Sequence, residues 1–399
     1  MSPFRTRAGV GLSGERDTEA AAREAVRLAM SRAGIQRADF AVLFATPHHF
    51  AHYRPLMGWV KEGTGAQQVV GCSGYGVLTS DGEIEGAPGI AVLAVASERI
   101  SALSFLCHPL GGRAKAVGEE IGERARKDPS KGSSPLVLLL PDTYRLQAEP
   151  LFESLREVLG PVPVVGGGAS EDGTQGRTYQ FCDGRLASDA VAGLIFKGAF
   201  SADIHVTQAC RPLGHPWVVT RAEGNILYEL GGRPALEVLS EMAGESLMEN
   251  PRLALTKVFL GLPKDPDEAE VERGSYLVRN IIGMDPASGA IGSPEPVETG
   301  QVIVFTLREA EGARKDLAEM VDSLARSRGA APSFGFYFNC AARGSSLYGR
   351  PSVDIEAIRG RLGDVPLIGF FTGAEIAPIR QKTYLHQYSG VLVLFSDVD

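Results

Sequence analysis

Five polar residues near the C-terminus, Asn339, Cys340, Arg343, Thr372 and Glu375, stand between apolar runs at a spacing that could gather them around one pocket. The first run is S-F-G-F-Y-F-N-C-A-A-R-G from Ser333, and the second is V-P-L-I-G-F-F-T-G-A-E-I-A-P, ending at Pro378. An arginine just past a strand-like run, followed by Gly344, could clamp a carboxylate through two parallel hydrogen bonds. Glu375 could pair with an ammonium group, so the two together suit a zwitterion such as an amino acid. The same residues could instead form an ion pair that only ties two loops together. Both readings stay open at this level.

Other reactive residue types lack the company that chemistry would need. Cys340 stands at a strand end, but no histidine lies in a partner motif, and free cysteine is among the most buried residue types. A buried structural thiol is therefore expected, with a nucleophile as the alternative. G-C-S-G-Y at 71 to 75 departs from the G-x-S-x-G nucleophile elbow at its last position and reads as a tight strand-to-loop turn, with anion binding the other reading. Gly166, Gly167 and Gly168 are soon followed by the turn-like E-D-G-T-Q-G-R, not by the helix that a phosphate loop requires. His48, His49 and His52 form the one histidine cluster. They could hold a metal or offer an axial ligand to haem, but no Asp, Glu or Cys accompanies them nearby, so surface or helix-capping histidines are expected. No metal site and no cofactor is expected, with haem the alternative.

A chain of 399 residues fits two or three domains. Its 44% hydrophobic and 22% charged residues argue for a folded globular protein. The net charge of -8, with both signs interspersed, disfavours nucleic-acid binding, which needs clustered Lys and Arg. No apolar run approaches the ~20 residues needed to cross a bilayer, and M-S-P-F-R-T-R lacks the features of a signal peptide. Cys72, Cys107, Cys182, Cys210 and Cys340 are scattered and contain no C-x-x-C pair, which suits buried thiols in a reducing compartment. A cytoplasmic location without membrane insertion is expected.

The elements that must position these residues recur in one order. A helix over Thr18 to Ala33, with Gly34 as its stop, precedes a strand at Phe40 to Ala45. Tyr53, Leu56, Met57 and Val60 then mark a helix expected to end at Gly63, before apolar runs at Val69 to Gly71 and Gly89 to Ala96. The order returns as a helix over Arg113 to Arg126, a strand at 135 to 141, a helix stopped at Gly160, and strands at 163 to 168 and 190 to 196. It returns again as a helix ending at Gly329, strand Phe334 to Phe338, a helix stopped at Gly363, and strands at 366 to 369 and 390 to 395. Leu43 to Val70 and Leu138 to Val165 are both 27 residues apart, and Phe336 to Ile368 is 32, which argues for a true internal repeat. Arg177-Thr178-Tyr179 and Lys382-Thr383-Tyr384 are read as a signature shared by the second and third copies. Between those copies, residues 203 to 308 carry short β-prone runs, one helix starting at Pro234 with Leu236, Leu239, Ala243 and Leu247 on one face, and a charged surface loop from Lys264 to Gly274. The expected fold is α/β: repeated helix-strand units with mixed sheets in two halves plus a β-rich insert.

With these segments assembled, the chain resembles the FIST family. The resemblance rests on V-V-G-C-S-G-Y-G at 69 to 76, G-N-I-L-Y-E-L-G-G-R-P-A-L-E at 224 to 237, F-N-C-A-A-R-G-S-S-L-Y-G at 338 to 349, and P-L-I-G-F-F-T-G-A-E-I-A-P at 366 to 378. It implies a FIST N-terminal domain over residues 1 to 200, holding two units, and a FIST C-terminal domain over 201 to 399, holding the insert and the third unit. It also implies a bacterial sensory, signal-transducing protein that binds small ligands, with amino acids among the suggested ones. Haem-based gas sensing has been linked to some members. No fused output domain has room beside the two halves, so a protein signalling partner is expected. The expected ligand site comprises Asn339, Cys340, Arg343, Gly344, Thr372 and Glu375, with no catalytic residue assigned; a cysteine-dependent enzyme is the alternative function.

Overall fold

The computed structural model describes residues 6–127, 135–264, 274–327 and 331–398. Three copies of one unit are visible in it, each running outer strand, helix, strand, helix, strand, hairpin, strand. Copy one comprises strand Arg7–Ser13, helix Thr18–Ala33, strand Phe40–Ala45, helix Tyr53–Thr64, strand Gln68–Ser73, hairpin Gly76–Thr79 and Gly82–Glu85, and strand Ile90–Ala96. Copy two comprises Ile100–Cys107, Ala114–Lys127, Leu136–Pro141, Ala148–Leu159, Val164–Gly167, hairpin Gln180–Cys182 and Arg185–Ala187, and Val191–Gly198. Copy three begins at strand Phe200–Gln208 and resumes, after the insert, with helix Ala310–Ser327, strand Phe334–Cys340, helix Val353–Leu362, strand Leu367–Thr372, hairpin Glu375–Ile379 and Lys382–His386, and strand Ser389–Asp397.

The copies are tied together by exchange of their hairpins. In each copy the two inner strands are parallel, in register Phe40 with Gln68, Val137 with Val164 and Gly335 with Leu367. The hairpin of copy one pairs with strand Leu367–Thr372 of copy three, that of copy two with Gln68–Ser73 of copy one, and that of copy three with Val164–Gly167 of copy two. Each of the three six-stranded sheets therefore contains strands from two copies.

One close-approach position is common to all three copies. Gly71, Gly166 and Gly369 lie opposite Leu43, Leu139 and Tyr337 in the parallel pairs. A Cβ there would lie 1.7, 2.0 and 1.7 Å from the carbonyl oxygens of those partners, so only glycine lets the strands approach. Four residues further on, at 75, 170 and 373, the chain forms a ring. Ser170 N–H donates to Ser73 O at 3.2 Å, and Gly373 N–H donates to Gly168 O at 3.0 Å. The third link is indirect: Tyr75 N–H donates to Ser170 Oγ at 2.8 Å, and that hydroxyl donates to Phe371 O.

Alternation along the strands divides the core in two. One face of each sheet packs on its helices, as Ala22, Ala25 and Ala29 do beneath Leu43 and Val92 in copy one. The other faces meet in an aromatic cluster to which copy one gives Phe40, copy two Phe196 and copy three Phe334, Phe336 and Phe395, with ring centroids 4.6 to 6.3 Å apart. The both-faced apolar character expected of these strands is thus met by helices on one side and by the other sheets on the other.

By compactness the chain divides into Met1–His205, Met320–Leu385 and Gly390–Asp399 as one unit, and Val206–Glu319 with His386–Ser389 as the second. The second unit is built on strand Cys210–Glu223, which pairs with Val302–Arg308 through a bulge between Leu213 and Trp217, and with Ile226–Leu230 on its other edge. Its small core gathers Cys210, Phe259, Tyr276 and Val278.

Several local expectations are corrected. The helix expected to stop at Gly63 continues to Thr64 and is capped by Gly65 at φ 65°, while Gly63 lies inside the helix against Val26. Pro234 is the N-cap and not the first helical residue of Ala235–Ala243; that helix buries Ala235, Val238 and Leu239, and Leu247 falls in a separate short helix, Glu245–Met248. The Thr-Tyr pairs are not equivalent: Thr178 precedes the first strand of its hairpin, whereas Thr383 lies within the second strand of its own. The Gly329 stop and residues 265–273 of the charged loop lie outside the described residues.

Candidate functional site

The period-two alternation of Phe334–Cys340 separates the expected site residues. Phe336, Phe338 and Cys340 face the aromatic core with Phe370 and Thr372, whereas Tyr337 and Asn339 point to the helix side. Arg343 follows the strand and lies fully buried on that helix side. Its guanidinium is bidentate on Asp354: Nε donates to Oδ2 at 3.0 Å and Nη2 to Oδ1 at 3.2 Å. Nη2 also donates to Tyr348 Oη at 2.9 Å, and the hydroxyls of Tyr337 and Tyr348 donate to Asp354 at 2.8 and 2.7 Å. Burial would raise the Asp354 carboxyl, but the adjacent Arg343 charge and these three donors hold it below the usual carboxylate range.

The hairpin of copy one closes this cluster. Glu85 Oε1 accepts from Ser345 N and Oγ, both at 2.9 Å, and its carboxylate fills the space beside Gly344, where a Cβ would come within 2.3 Å of it. Gly344 is thus a point of close approach. Glu83 exchanges hydrogen bonds with Ser352, accepting from its N–H at 2.5 Å and donating its own N–H to Ser352 Oγ at 3.1 Å. That exchange holds Ser352 at a left-handed φ of 64° just before the helix carrying Asp354. Glu83 itself is pushed up to about 8, first by burial and then by the negative charge of Asp354.

Arg343 Nη1 and Glu83 Oε1 in this cluster have no hydrogen-bond partner, and neither do Oδ1 and Nδ2 of buried Asn339, on the same strand face as Tyr337. Leaving such a group unpaired costs roughly 1–3 kcal/mol each, more when it is charged. Arg343 and Glu83 therefore carry unused hydrogen-bonding capacity in one desolvated region, and the Asn339 amide carries more on the same face of its strand.

The remaining expected residues lie elsewhere. Thr372 Oγ1 donates to Glu375 Oε1 at 2.6 Å, and both side chains are buried on the core side, where the Thr372 side chain abuts Gly167. Arg343 and Glu375 do not face each other; the arginine's acid is Asp354. Cys340 is 6% exposed, and burial drives the Cys72 thiol well above its ordinary value, away from the thiolate form. Of the three histidines expected at the surface or capping a helix, His49 is instead buried, bonded through Nδ1 to Thr18 Oγ1 at 3.0 Å, and lowered to about 4 by burial and its neighbouring histidines. Among the described residues no group of three or more His, Cys, Asp or Glu side chains could hold a metal.

Asp354, Glu83, Glu85 and Tyr348 were not singled out from the sequence. Tyr337 could have been, because alternation places it with Asn339 and not with the phenylalanines. Asp354 reads as an ordinary acidic residue in a helix's first turn, and Glu83 reaches the site only because the hairpins are exchanged.

A triplicated α/β unit with a β-rich insert, enclosing a buried arginine cluster, is the class of protein that this fold and site define. Two family models match the chain, the FIST N domain over residues 39–233 and the FIST C domain over 235–378. Uncharacterized proteins from Mycobacterium tuberculosis (32% identical over 98% of this chain and 100% of the relative) and Mycobacterium bovis (30%, over 98% and 99%) are similar along nearly their whole length. The chain belongs to the FIST family, whose domains are associated with sensory and signal-transducing binding of small ligands. Among solved structures, a cyanuric acid hydrolase aligns over 99% of this chain and 100% of that one at a TM-score of 0.34 and 10% identity, and another, from A. caulinodans, over 49% and 71% at 0.27 and 12%. At those scores neither likeness bears on what this chain does. No helix among the described residues is long and apolar enough to cross a membrane.

Proposed function

We propose that this protein is a small-ligand sensor whose ligand binds in the Arg343 cluster, held by Arg343 Nη1, the Asn339 amide and Glu83. The observation that carries this reading is the set of buried polar atoms with no partner on those three residues. A carboxylate oxygen suits Arg343 Nη1, and the free Asn339 carbonyl suits an ammonium donor, so amino acids remain a fitting class. The ammonium would then be met by Asn339 and not by Glu375. With the ligand enclosed between the copy-three strand and the copy-one hairpin, occupancy would alter how that hairpin is held, and a protein partner in the cytoplasm would read the change.

A thermal-shift screen of amino acids and small carboxylates tests the reading, since a ligand at 100 times its dissociation constant stabilises by about 2.7 kcal/mol. Asn339→Leu is the decisive variant. It removes two unpaired polar atoms and keeps the branched heavy-atom shape, so the ligand-free protein should melt higher while the ligand-induced shift disappears. A lower melting temperature with the ligand shift retained would make Asn339 structural and remove the site.

A further inference from the structure

We propose that anion binding at the Arg343 site is coupled to a proton, with Glu83, supplied by the exchanged hairpin of copy one, binding the ligand only as the neutral acid. The inference rests on the ligand site proposed above and adds its charge state. Arg343 is already neutralised by Asp354, which takes Nε and one side of the guanidinium through Nη2. A ligand carboxylate on Nη1 would therefore bring a second negative charge beside Asp354, where Arg343 is the one fully buried cation of the cluster. If Glu83 were ionised, a third would be buried there, and like charges in a desolvated site cannot all persist. As the neutral acid, Glu83 has one oxygen accepting from Ser352 N–H, and its unpartnered Oε1 can carry the hydrogen and donate it to a ligand oxygen.

The charged and titratable groups around Glu83 are Asp354 and Arg343, Glu85 on its own strand, Arg350 in the segment leading to the helix, and the phenols of Tyr337 and Tyr348 on Asp354. Two carboxylates stand against two guanidiniums, and the exposed Arg350 is itself paired with Glu356. That leaves no spare buried cation for an ionised Glu83. Burial and the Asp354 charge raise its carboxyl to about 8, which favours the neutral acid at neutral pH.

Titration calorimetry with sodium acetate tests this on the full chain from pH 6 to 9.5, a range in which acetate keeps its charge. Wild-type affinity should be level to near pH 7.5 and fall about tenfold per pH unit above 8, with uptake of a proton per acetate at pH 9 read from the dependence of the heat on the buffer. Glu83→Gln, whose amide can keep the Ser352 bond and still donate, should bind acetate with affinity independent of pH. Binding that needs Asn339, lost in Asn339→Leu, but with a flat wild-type profile and no proton uptake would overturn the coupling and leave the ligand site standing. A Glu83→Gln variant that retains the slope would do the same. Acetate that fails to bind at any pH, or binds Asn339→Leu as tightly as wild type, would sink the site and the coupling with it. Should Glu83→Gln not fold, the proton uptake of the wild type decides.

Discussion

At the scale of residues, the arginine that suggested a ligand clamp is engaged through two of its nitrogens. Two of its three nitrogens are bound to Asp354 and Tyr348 and the third is unused. A buried ion pair of this kind is a weak source of net stability, but removal of one partner strands the other charge. Asp354→Ala should therefore destabilise by roughly 3–5 kcal/mol in chemical denaturation, whereas Arg343→Met combined with Asp354→Leu should recover most of that loss. If the double variant is no more stable than the single one, the pair is held by packing and not by charge. The sequence displayed Arg343 and Asn339 because both stand just past an apolar run. It could not display the pairing, because any acidic residue in the chain could have been the arginine's partner until the helix was placed.

At the scale of elements, helices and strands were largely legible. Thr18–Ala33 and Phe40–Ala45 have the bounds read from periodicity, because a one-sided apolar stripe and an αL glycine stop are local signals. The misreadings came where two local signals competed: Gly63 against Gly65 as a helix stop, and a Thr-Tyr pair whose position within the hairpin only pairing could assign. The loops past the parallel strands of copies one and two read as turns and that of copy three as part of the ligand site, and no local signal marks their joining into a ring. In two of its links the ring needs only backbone atoms; the third depends on the Ser170 hydroxyl bridging Tyr75 and Phe371. Ser170→Ala should take the acceptor from the half-buried Tyr75 amide and a donor from the Phe371 carbonyl and cost roughly 1–3 kcal/mol, with faster hydrogen exchange at Tyr75. An unchanged melting curve and exchange rate would show that the link contributes nothing.

At the scale of the whole molecule, the triplication was legible from element order and the near-constant spacing of the parallel strands, while the hairpin exchange was not. The insert enters and leaves copy three at neighbouring points, since Glu309 N–H donates to Ala209 O at 3.3 Å. Replacing residues 210–308 with a short flexible linker should leave the three-copy unit folded and cooperative in thermal melting followed by circular dichroism; a molten or insoluble product would mean the copies need the insert. The sequence by itself determined the elements, the repeat and the family, because these follow from periodicities and close-approach glycines carried along a few dozen residues. Only the tertiary structure decided the site. Glu83 and Asp354 are 271 positions apart, and what brings Glu83 to the Arg343–Asp354 pair is strand pairing between copies, which no local periodicity encodes.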